Sequence, residues 1–122
     1  MAADLRRIER RLLKLALSYP EAWEDHPWGE NVVKVGKKIF VFFGVPVKGR
    51  LMVGVKLPEA GEFALTQPFA EPSGYGMGKA GWVSCTFTTA DDPPVGLLED
   101  WIDESYRTAA PKRLVKQLDA AS

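Results

Sequence analysis

A single cysteine, Cys85, occurs in 122 residues, which leaves no partner for an intramolecular disulfide and no thiolate cage for zinc. That usage predicts a reducing compartment, and the cytoplasm is the expected location. Histidine is equally scarce. His26 stands alone between Asp25 and Pro27, so a transition-metal site would have to rest on carboxylates, which are weak and unselective ligands for such ions. No metal and no cofactor is expected. Net charge is missing too, because sixteen Lys and Arg balance sixteen Asp and Glu. No long-range field therefore draws the molecule toward nucleic acid or an anionic membrane, and electrostatic binding must come from a local patch. No run approaches the roughly 18 apolar residues of a membrane span, and the charged opening MAADLRRIERR has no apolar signal segment. No membrane association is expected.

Catalytic signatures are also missing. Cys85 lies in a strand-like run with no histidine close in sequence to activate it, and is expected to be a small core residue. His26 is expected in a surface loop. The segment GYGMGKAG, from Gly74 to Gly81, is not a phosphate-binding P-loop because Lys79 is followed by Ala80. No GxGxxG fingerprint opens a helix after a strand. No catalytic residue is assigned, and the expectation is a non-enzymatic domain.

What is present builds one core. With 46% hydrophobic residues over 122 positions, a single domain spanning 1–122 is expected, with no repeat and no linker. Leu5, Ile8, Leu12, Leu15 and Ala16 recur at helical spacing behind Asp4, a suitable N-cap, and Pro20 helps to end the helix. Arg6, Arg7, Arg10, Arg11 and Lys14 share its opposite face, which can meet phosphates, although such a face is usually just the solvated side of a helix. Segment 21–30, EAWEDHPWGE, reads as turn-rich.

Three strand-like runs follow, Asn31 to Val35, Lys38 to Phe43 and Arg50 to Leu57. Gly36-Lys37 predicts a tight antiparallel hairpin between the first two, and the loop from Gly44 to Gly49 connects the next pair. IFVFF is apolar throughout and predicts a strand covered on both faces, whereas LMVGVKL can alternate. After a brief helical pattern from Leu57 to Leu65, QPFAEPSGYGMGKAG reads as a long loop. Trp82 to Thr88 is a further strand.

Asp92 before Pro93 and Pro94 marks a helix start, with the Asp91-Asp92 carboxylates serving as cap, and Leu98, Trp101, Ile102, Ser105 and Tyr106 share its inner face. Pro111 opens a last helix with Leu114, Val115 and Leu118 inward and Lys112, Arg113 and Lys116 outward. The expected class is α+β: an antiparallel sheet meander covered on one face by N-terminal and C-terminal helices.

Three strings, HPWGENVVKVGKKIFVFF, GYGMGKAGWV and WIDESYRTAAPKRLVKQL, sit in this order in a chain that resembles the MmcQ/YjbR family from about Leu5 to Leu118. The resemblance implies a frataxin-like (CyaY-like) arrangement and a double-wing motif predicted to contact DNA. On this chain the wings would be the Val32 to Phe43 hairpin and the Gly74 to Thr86 segment. Lys34, Lys38, Lys56 and Lys79 would then meet phosphates, with Tyr75 and Trp82 stacking on bases. Members often carry a polar residue such as Asn where this chain has Gly78.

Each feature has a plainer role beside the functional one. The glycines of the 74–81 segment can offer backbone N–H groups to an anion, or merely turn the chain. Trp28 and Trp82 can form an exposed platform, although the expectation for each is a ring mostly buried where loops meet the core. With no net charge, DNA binding would be weak and strongly salt-dependent. The alternative partner is a small molecule or a protein, held in a cleft beside the Gly74–Trp82 loop.

Overall fold

The computed structural model describes residues 4–74 and 76–121. Asp4 caps α1 (Leu5–Leu17), its carboxylate accepting from the Arg7 amide at 3.1 Å. The expected stripe turns inward, with Leu5, Leu12 and Ala16 buried, each fully buried leucine contributing about 1.5–3 kcal/mol. Six strands then build one antiparallel sheet: β1 (Ala22–Asp25), β2 (Asn31–Val35), β3 (Lys38–Gly44), β4 (Arg50–Lys56), β5 (Ala70–Pro72) and β6 (Trp82–Thr88). Their spatial order is β1-β2-β3-β4-β6-β5. The meander therefore holds from β1 to β4. After it, β6 takes the place beside β4 and leaves the earlier β5 on the edge.

The helices α2 (Gly61–Ala64), α3 (Val95–Ala109) and α4 (Lys112–Ala121) complete the chain. On α3 the five residues read as its inner face, Leu98, Trp101, Ile102, Ser105 and Tyr106, are all buried. Ser105 stitches this helix to the sheet: its hydroxyl donates to the Phe40 carbonyl at 2.6 Å and accepts from the Lys56 amide at 2.9 Å. Tyr106 stacks on Tyr19 with ring centres 4.6 Å apart, and its hydroxyl donates to the Pro20 carbonyl. On α4, Leu114 is buried. The core fills the space between α1 and α3 and one sheet face, the face that carries Val33, Val35, Val41, Val53, Val55, Val83, Cys85 and Phe87.

Several expectations change. The turn-rich segment contains β1, paired with β2 from Ala22 opposite Val35 to Asp25 opposite Val32, and the long loop contains β5. Strand β3 is not covered on both faces, because Ile39 and Phe42 remain partly exposed. Trp28 is 94% exposed rather than buried, on a short turn (Pro27–Gly29) where its own φ is +56°. Asp91 caps no helix: its carboxylate accepts from the Thr88 amide at 2.6 Å, while Pro94 stands at the start of α3 with no side-chain cap. Cys85 is buried as expected, and burial pushes its thiol up to about 12. His26 is exposed, its Nδ1 2.8 Å from Asn31 Oδ1.

Candidate nucleic-acid interface

Strand alternation decides which side chains share the sheet face that turns away from α1 and α3. Phe42 lies opposite Gly54 and Val32, and Lys56 lies opposite Trp82. Because Lys34 and Lys56 are two residues from Val32 and Gly54 on their own strands, all of these side chains belong to one face. Val41, Val55 and Val83, one position along, point into the core.

The centre of this face is an aromatic pair. Phe42 and Trp82 stack at 5.0 Å between ring centres with 26° between planes. A glycine makes this possible, because a Cβ at Gly54 would collide with the Phe42 ring. Both rings are partly exposed and leave some π surface open to solvent. Lys56 flanks it, partly exposed and without an ion-pair partner among the described residues.

Further along, Lys34 Nζ sits 2.7 Å from Asp25 Oδ2 and 5.2 Å from the centre of the 43%-exposed Trp23 ring. The Lys34 ammonium, helped by the His26 amide, holds the Asp25 carboxyl below the usual carboxylate range. Lys34 thus lies on the expected face with its charge already matched.

The other expected residues separate. Lys38 is exposed next to the hairpin turn, but in register with Val35, so it belongs to the alternation of the helix-covered face. Lys79 is exposed on a single turn, Met77–Ala80, just before β6. The exit of that turn is anchored beside Lys56, since the Leu57 amide donates to the Gly81 carbonyl at 2.9 Å. Tyr75 lies outside the described residues.

The glycine segment is not an open anion cradle at four of its amides. Met77, Gly78, Lys79 and Gly81 donate their N–H groups to the carbonyls of Gly74, Ser73, Gly76 and Gly78. Gly78 is also sterically required, because a Cβ there would stand 2.8 Å from Pro72 Cβ. Among the described residues, cavities of about 620, 410 and 520 Å³ occur, and no described residue of 74–82 lines any of these.

Phe42 and Trp23 went unassigned in the sequence. Gly54 was the available signal for Phe42, since a glycine inside a strand marks a close approach across the sheet. A helix-backed antiparallel sheet with an aromatic pair on its open face is the class of domain these features define. The model of the YjbR family matches residues 17–108, well over half of the chain. The chain belongs to the YjbR family. The match leaves most of α1 and all of α4 outside. Compared with curated proteins, the chain gives no significant match.

Proposed function

We propose that the chain is a non-enzymatic binding module that contacts DNA, as a single strand, on the open face of its sheet. The observation that carries this is the Phe42–Trp82 stack with the unpaired Lys56 beside it. A partly exposed π surface accepts a base by stacking at about 1–3 kcal/mol, and a neighbouring ammonium meets the phosphate. Lys79 extends the positive charge along the approach to β6.

A duplex fits less well. Its phosphates demand many cations at once, and this molecule has zero net charge with Lys34 neutralised by Asp25. A single strand can offer its bases directly, so binding draws on stacking as well as charge. The module is expected to work in the cytoplasm. No helix among the described residues is long and apolar enough to cross a membrane.

Fluorescence anisotropy of a labelled oligothymidine and of a duplex of equal length, across a salt series, tests the proposal. Saturable single-strand binding that weakens with salt and exceeds duplex binding supports it. Equal or stronger duplex binding, or none to either, overturns it.

A further inference from the structure

At the far end of the sheet from Lys56 and Trp82, the first turns of α1 and the 44–49 loop enclose a groove of about 620 Å³. From Arg50 to Lys56, β4 runs between the two ends, a span of about 20 Å at strand rise. The volume falls within the roughly 300–1,000 Å³ of small-molecule sites. Arg6 and Arg10 stand one helical turn apart on α1 and line it from one side, while Lys48 and Arg50 line it from the other. None of these four cations has an ion-pair partner among the described residues.

Two carboxylates are present. Asp4 is engaged as the helix cap. Glu9 is part-buried, with desolvation raising its carboxyl and Arg6 lowering it, so four cations face one carboxylate that is not engaged as a cap. Between the charged sides the lining is apolar: Leu13, Phe43, Val45, Val47 and Met52 contribute to it. Val45 and Val47 are 52% and 46% exposed, an uncovered apolar lip on the loop.

We infer that this groove binds a small amphipathic anion, a carboxylate or phosphate monoester head on a short apolar body. Guanidinium groups at i and i+4 match the oxygens of either head, Lys48 and Arg50 balance its charge from the loop, and the apolar body covers Val45, Val47 and Met52. The site is separate from the open-face stack, so occupancy of one leaves the other accessible.

Isothermal titration with monomeric decanoate and decyl phosphate tests this, with acetate and inorganic phosphate as headgroup controls. Saturable one-to-one binding of either decyl compound, at least about tenfold tighter than its control, is expected. The tighter of the two identifies the headgroup. An Arg6→Gln/Arg10→Gln variant and, separately, Val47→Asp should each weaken binding about tenfold or more while keeping the wild-type circular dichroism. All three side chains line the groove from the surface, so the fold does not depend on them. Equal binding of inorganic phosphate, no saturable binding of either decyl compound, or an unchanged affinity in both variants would overturn the inference. Oligothymidine binding at saturating decanoate should remain, which separates failure here from failure of the open-face site.

Discussion

The Phe42 ring packs against Gly54 of the neighbouring strand, so close that the glycine has no room for a Cβ. Gly54→Ala must push the ring aside, disturb its stack with Trp82 and strain a central strand pair. A loss of about 1–3 kcal/mol in stability is expected from such overpacking. Urea unfolding gives the stability, and the tryptophan emission spectrum should shift in the folded variant because Trp82 loses its partner. A stability and spectrum matching wild type would show that the close approach does not hold the ring.

Ser105 supplies a second test, of how the helix layer sets the open face. Its hydroxyl satisfies both the Phe40 carbonyl and the Lys56 amide between α3 and the sheet. Ser105→Ala leaves both without that partner, and a loss of about 1–3 kcal/mol per group left unsatisfied in the interior is expected. The same variant should speed hydrogen exchange at the Lys56 amide more than at Val83, whose environment is not altered.

The two open-face lysines should behave unequally. Lys34 is matched by Asp25 at 2.7 Å, whereas Lys56 has no ion-pair partner among the described residues. Lys56→Ala should reduce the slope of log affinity against log salt for oligothymidine by about 0.7, the value for one phosphate contact on a single strand. Lys34→Ala should leave that slope nearly unchanged. Equal effects at the two positions would contradict the placement of the site around Trp82.

Alkaline stability follows from one buried and one part-buried group. Burial pushes the Cys85 thiol from an ordinary 9.0 up to about 12, and desolvation, together with the hydrogen bond to Asp103, raises the Tyr19 phenol well above 10.0. Both hold their protons more tightly folded than unfolded. Their contribution is therefore complete below about pH 9 and is lost as pH rises toward 12. Each group adds at most about 1.4 kcal/mol per pH unit within its window. Urea midpoints from about pH 8 to about pH 11 should fall, and Cys85→Ala should flatten the first part of that decline.

Much of the fold was legible because the signals were periodic. The inner face of α3, from Leu98 to Tyr106, and the stripe of α1 follow the helical repeat, and the Gly36 hairpin carries its own turn residue at φ +61°. Strands β1 and β5 escaped because AWED and AEP are short and lack apolar alternation, the second ending in proline. Their strand character comes from the neighbour they pair with.

The site was legible only in part, for a related reason. Lys56 and Trp82 were assigned from their residue types, and the register then placed them opposite each other. Lys38 differs from Lys34 in face because register shifts occur between β2 and β3, which no local pattern announces. Phe42 resembled a core residue because both faces of IFVFF are apolar. The α1 groove joins residues some forty positions apart, and only the packed helix brings Arg10 toward Arg50.

The central claim, that the open sheet face receives single-stranded DNA, is tested most directly by titrating oligothymidine into isotope-labelled protein and following each amide and indole resonance. The account predicts saturable shifts centred on Phe42, Lys56 and the Trp82 indole, with smaller ones at Lys79 and Lys34 and none at Arg6 or Arg10. Shifts centred on the α1 groove or on the helix-covered side, or no shifts at all, would contradict it.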